Sequence, residues 1–118
     1  MTPWLSPWWG ELVKCAEKGG KSGWDIVHQV SSGHAVGYPV CADGYLVLER
    51  THDDALRIWL GVGRGVRNWH GLAEDNVVRF AKAIGCNKLL IEGRKGWRRV
   101  LKHWTVNDDG DLELRITP

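Results

Sequence analysis

The chain has 118 residues, 43% of them hydrophobic and 25% charged, enough to bury one core without disulfides or a metal. Sixteen Lys and Arg against fourteen Asp and Glu leave a net charge of +2, so no global field draws it to nucleic acid or an anionic membrane; any basic function must be local. No apolar segment approaches the roughly 20 residues of a membrane span, and the N-terminus lacks the charged and apolar blocks of a signal peptide.

Ser6 is placed to cap a tryptophan-rich helix over about residues 6–18, with Pro7 at its first position, Glu11 near its positive end and Gly19-Gly20 as its stop. A second helix is expected over Trp24 to Val30, after Ser22 and before Gly33. The period then changes. His34 to Val40, Tyr45 to Glu49 and Ala55 to Leu60 read as an antiparallel meander turned at Ala42-Asp43-Gly44 and at His52-Asp53-Asp54. Helical spacing of Val77, Val78, Phe80, Ala81 and Ile84 marks a helix over Asp75 to Ile84, with Gly85 as its cap. Cys86 to Ile91 reads as a strand and Arg94 to His103 as a helix. Trp104 to Val106 and Leu112 to Ile116 read as a closing hairpin. Without repeats or linkers, one domain over residues 1–118 is expected.

Eight tryptophans stand against one Phe and two Tyr. Trp24, Trp59, Trp97 and Trp104 each sit in an apolar phase and are expected in the core, whereas Trp4, Trp8 and Trp9 cannot all fit under one short helix and form a candidate partner-facing patch. Cys15, Cys41 and Cys86 lie in apolar runs, the pattern of buried reduced thiols in a cytoplasmic protein. Neither the cysteines nor the five histidines show metal-ligand or triad spacing, so no metal is expected.

The runs LRIWLGVG, VVRFAKAIGCNKLLIEG and RKGWRRVLKHW, in this element order, resemble the central strand, cofactor-side helix, next strand and last helix of the GNAT family of acyl-CoA N-acyltransferases. The resemblance implies an α+β fold with a mixed central sheet flanked by helices. More narrowly, IGC, GRKGW and RRVLK resemble short acetyltransferase-like proteins of tailed bacteriophages and prophages.

Family members hold acetyl-CoA by backbone N–H groups of a glycine loop at a helix N-terminus. The nearest text is Gly61-Val62-Gly63-Arg64-Gly65-Val66-Arg67, whose glycines miss the family's offsets and which stands several residues ahead of the helix marked at Asp75. Gly61, Gly63, Arg64, Gly65 and Arg67 are therefore either a nest for a phosphate or a connection with solvated arginines. The acid expected on the last helix is a tyrosine, but Arg98 and Arg99 occupy that phase and guanidinium does not donate its proton at neutral pH. Glu49 and Glu92, near strand ends, are the candidate bases. Arg94, Arg98 and Lys102 at i, i+4 spacing, with Arg99 beside them, form either a solvated face or a grip for phosphates or an acidic protein.

The resemblance, with these departures at the glycine loop and the last helix, implies an acetyltransferase-like phage protein without catalysis or cofactor. It would act through protein contacts, with a virion partner or a second copy, in virion assembly or as an internal, DNA-proximal component. Its expected location is the host bacterial cytoplasm during synthesis, then the virion. The alternatives are an active acetyl-CoA-dependent N-acetyltransferase and a nucleic-acid-binding module using the last helix.

Overall fold

A 3-10 turn at Pro3–Leu5 leads into α1 (Trp9–Lys18) and α2 (Gly23–Ser31), followed by β1 (Ala35–Cys41), β2 (Gly44–Arg50) and β3 (Ala55–Gly63). Then come α3 (Val66–Ala83), β4 (Lys88–Ile91), α4 (Lys95–Val100), β5 (Thr105–Val106) and β6 (Leu112–Arg115). The computed structural model describes residues 2–92 and 95–116. Among these residues the strands form one mixed sheet in the order β1-β2-β3-β4-β6-β5, with β3 and β4 parallel and the other neighbours antiparallel.

The first five positions of β2 are buried, so both faces of the sheet need cover there. On one face Leu46 and Leu48 join Leu56, Ile58, Leu89, Ile91 and Leu112 beneath α3, which inserts Trp69, Ala73, Val77 and Ala81 at helical spacing. On the other, Tyr45 and Val47 meet Leu12 and Ala16 of α1 and Ile26 of α2. The α2 start follows from its residues: Asp25 N–H donates to Ser22 Oγ (3.4 Å) while Ser22 N–H donates to Asp25 Oδ2 (2.7 Å), a reciprocal capping box.

A bulge decides which side chains reach which face. Val47 pairs with Leu60 and Leu48 with Ile58, leaving Trp59 as an extra residue in β3. Leu56 and Ile58 therefore face α3, whereas Trp59, Leu60 and Val62 belong to the α1 side. Gly61 is turned back toward the α3 face, next to Leu46 and Trp97.

Several expectations change. Ser6 Oγ accepts the Trp8 N–H at 3.0 Å, but α1 proper starts at Trp9, because Pro3–Leu5 closes as a separate turn. The helix expected from Asp75 begins at Val66, since the buried line Trp69, Ala73, Val77 runs on through Gly71 and Asn68 despite their weak helix propensity. Trp24 is 81% exposed, because Ile26 is the α2 residue that enters the core. Among the thiols only Cys86 is buried; Cys41 is exposed beside the β1–β2 turn and Cys15 is intermediate. The last helix is shorter than expected: it ends at Val100, so Lys102 lies beyond it, and Arg94 lies outside the described residues.

Gly63 (φ +150°) pairs with Gly44, and a Cβ there would stand 2.1 Å from the Asp43 carbonyl oxygen. Gly63→Ala should lower stability by about 2–4 kcal/mol in urea unfolding. Gly71→Ala, in a helical position with nothing within 4 Å of the added carbon, should raise it by up to ~1 kcal/mol. Equal effects of the two would refute this account of the turn.

Lys88 Nζ lies 3.3 Å from Asp53 and 3.8 Å from Glu113, tying the β2–β3 loop to β4 and β6. Hydrogen bonds from Thr51 and Lys88 hold the Asp53 carboxyl below its ordinary range. A lowered carboxylate pKa contributes stability above the ordinary aspartate range that is lost as pH falls through the folded-state value. Asp53→Asn should therefore lower the urea midpoint at neutral pH and leave it unchanged in strong acid. Equal shifts at both would exclude the linkage.

Candidate functional site

The parallel pair β3–β4 is joined only from Ala55–Lys88 to Ile58–Ile91. Beyond that point β4 ends while β3 continues to Gly63 paired with β2, so the edge of β3 borders a wedge beside the residues that follow β4. At the end of β3 the chain turns at once into α3: Gly65 is the N-cap, in the left-handed conformation (φ 61°, ψ 44°), and no side chain caps the helix. The first-turn N–H groups of a helix have no intrahelical acceptor, so the glycine turn does stand where unpaired donors and the helix dipole converge. This corrects the expectation of a gap between turn and helix.

The turn is tightly held. Arg64 N–H donates to the Asp43 carbonyl (2.8 Å), and the Trp69 indole N–H donates to the Arg64 carbonyl (2.8 Å). The Arg64 guanidinium lies 5.5 Å from the centre of a Trp8 ring, so this candidate phosphate ligand is already stacked on the N-terminal segment. Arg67 is exposed in the first turn of α3.

The wedge is filled by indoles. Trp97 packs against Gly61, where an added Cβ would sit 3.0 Å from its Cζ2. Trp69, Trp97 and Trp104 together leave a cavity of about 20 Å³ among Leu46, Ile58 and Ile91. A second space, about 30 Å³, lies between Trp59, Gly61, Glu92 and Trp97. Neither approaches the roughly 300 Å³ at which small-molecule sites begin.

Glu74 secures the filling. Its Oε1 accepts the Trp104 indole N–H at 2.6 Å and lies 2.7 Å from His103 Nε2. Sequence reasoning missed this group, because Glu74 and Trp104 are far apart in the chain and only the docking of α3 over β4 and β6 brings them together. The His70 Nδ1 atom, at the same cavity, is buried with no hydrogen-bond partner among the described residues.

The candidate bases separate. Glu92 follows β4 directly and lies at the wedge. Glu49 does not: β2 begins opposite Gly63 and ends opposite Leu56, so Glu49 stands toward the far end, 3.6 Å from Arg57. Neither tyrosine lines the wedge spaces. Tyr38 lines a 120 Å³ cavity between β1 and α3, and Tyr45 is buried on the α1 side. Trp4, Trp8 and Trp9 are each half-buried, with Trp8 and Trp9 packed on the α1-side core, so the exposed apolar side chains near this end are Leu5 and Trp24. Arg98, Arg99 and Lys102 are exposed, with Arg98 Nη2 3.4 Å from the Gly110 carbonyl. Among the described residues no cluster of metal-ligating side chains forms, and no helix is long and apolar enough to cross a membrane.

No protein-family model matches the chain, and no curated protein sequence matches it. Solved structures do. Ard1 from Thermoplasma volcanium aligns over 100% of this chain and 95% of its own at 12% identity and a TM-score of 0.63. A chain of the AtaT-AtaR complex bound to DNA aligns over 75% and 72% at 15% identity, TM-score 0.60. A Lactobacillus plantarum protein assigned as an N-acetyltransferase aligns over 64% of this chain at 18% identity, TM-score 0.53; the chain spans 61% of that protein's length. The fold is GNAT-like, a mixed sheet flanked by helices as in the acyl-CoA N-acyltransferases.

The Glu74 arrangement makes a measurable distinction. Glu74→Ala leaves the buried Trp104 N–H without an acceptor and should cost about 1–3 kcal/mol in urea unfolding. His103→Ala removes only a half-exposed ion-pair partner and should cost under about 1 kcal/mol. Equal losses would assign the stabilisation to the ion pair instead.

Proposed function

We propose that this chain uses the acetyltransferase framework as a scaffold for protein contacts and binds no acetyl-CoA. The supporting observation is the Trp97–Gly61 contact. A cofactor anchored by its pyrophosphate at Gly63 to Arg67 would have to run its thioester arm along the adjoining opening between β3 and β4, and indoles occupy that opening. The absence of a tyrosine lining the wedge spaces, with Arg98 and Arg99 in the last helix, supports the same reading. We read the resemblance of GRKGW and RRVLK to short phage proteins as support for a role in virion assembly, with exposed Trp24 and Leu5 as apolar contact points.

One observation favours the competing reading, an active transferase: the uncapped N-terminus of α3 directly follows the glycine turn. Isothermal titration with acetyl-CoA separates the two. The expected result is no heat for the unmodified protein. Micromolar binding that is lost in the Arg64→Glu, Arg67→Glu double variant would overturn the scaffold reading and establish the turn as a pyrophosphate site.

A further inference from the structure

One flank of α3 is not used by the core. Trp69, Ala73, Val77 and Ala81 point into the sheet, and Leu72, Asn76 and Phe80 follow beside them at i, i+4, i+8 spacing, on the side that overhangs β1. Leu72 is 52% exposed and Phe80 39%, with Asn76 half-buried between them. Beneath lies the apolar cavity of about 120 Å³, formed by Val36, Tyr38 and Leu48 against Asn76, Val77 and Phe80. Among the described residues β1 is the edge strand, so no further strand covers this corner.

The chemistry of the corner says what fits it. β1 is a poor template for an added strand: Gly37 is buried, Pro39 has no N–H to give, and the register breaks between Pro39 and Cys41. The groove therefore suits a helix. That helix must set a donor and an acceptor against Asn76, because an apolar cover would strand its amide. It must also bring a cation to Asp75 and an anion to Arg79, the exposed charges along the outer side of this flank. α3 itself meets all of these conditions when turned end for end.

We propose that this flank is the interface of a homodimer, in which α3 of a second copy lies antiparallel to α3 across a twofold axis at Asn76. Leu72 then packs on the second copy's Phe80 at both ends, the two Asn76 amides pair at the axis, and each Arg79 lies beside the other copy's Asp75. A single polar pair in an apolar seam fixes its register, which a wholly apolar seam leaves free to slip. The dimer depends on the scaffold reading only in calling for a protein partner. Its face is turned away from the wedge, since Glu74 holds Trp104 on the opposite flank of α3. Cofactor binding is read as heat and dimerisation as mass, so either can fail alone.

Sedimentation equilibrium of the full chain is the test. The unmodified protein is expected to be a dimer at micromolar concentration, and Phe80→Glu a monomer with an unchanged circular dichroism spectrum. Asp75→Arg and Arg79→Asp each leave only like charges along the seam and should weaken self-association at least about tenfold. Mixed in equal amounts, these two variants regain opposite charges across the seam and should form an equimolar heterodimer. A charge pair within one helix cannot produce that rescue. A monomeric unmodified protein at several hundred micromolar would overturn the homodimer and leave the flank to a different protein. Undiminished dimerisation of Phe80→Glu, or a mixture of the two charge variants that stays monomeric, would overturn it equally.

Discussion

The extra residue at Trp59 is the constraint on which the rest of the wedge depends. A strand that outruns its parallel neighbour must either leave a slot at its edge or have it filled, and the side chain that β3 presents there decides between them. With regular alternation, Leu60 and Val62 would continue the face of Leu56 and Ile58. The bulge sends both to the α1 side and leaves Gly61, with no side chain, facing α3. Trp97 can approach only because that position is glycine. The α1-side core gains in the same step, since Leu60 and Val62 pack where α1 crosses β3.

The glycine turn is the point where the two faces are mechanically joined. Gly63 abuts the Asp43 carbonyl, and Gly44 leaves room for the Trp69 ring, which would come within 2.8 Å of a Cβ there. Trp69 in turn holds the Arg64 carbonyl, and the Arg64 guanidinium rests on Trp8 on the opposite side of the sheet. A turn with its geometry this determined is a rigid feature, whether its helix N-terminus serves an anion or only ends a strand. Its neighbours account for the spacing of glycines that the family pattern does not.

The strands were the most legible part of the sequence. Alternation and turn residues located β1, β2 and β3 to within a few residues, and Ser22 announced the start of α2, which the structure closes with Asp25 in a local capping box. Errors arose where burial depends on a distant partner. The start of α3 carries Asn68 and Gly71, poor helix formers, and is held by Trp69 seated over Gly44, a contact that local propensity does not contain. Trp24 and Trp97 look alike in sequence as aromatic residues in apolar phases, yet one is exposed and the other half-buried. The difference is set by which face of each helix meets the sheet. Glu49 and Glu92 both stand near strand ends, and only the direction of β4 relative to β2 brings Glu92 to the wedge.

The sequence by itself determined the order of helices and strands and the antiparallel meander, because these follow from periodicity, capping and turn chemistry within short windows, and the resemblance of its central runs to the GNAT family implied the fold class. It also marked the glycine turn and the scarcity of proton donors in the last helix. Only the tertiary structure decided that the turn abuts α3, that indoles from α3, α4 and the segment after it fill the wedge, and that Tyr45 is buried on the α1 side. Those outcomes depend on the bulge and on packing between residues far apart in the chain, and such contacts leave no period or motif for a local reading to find.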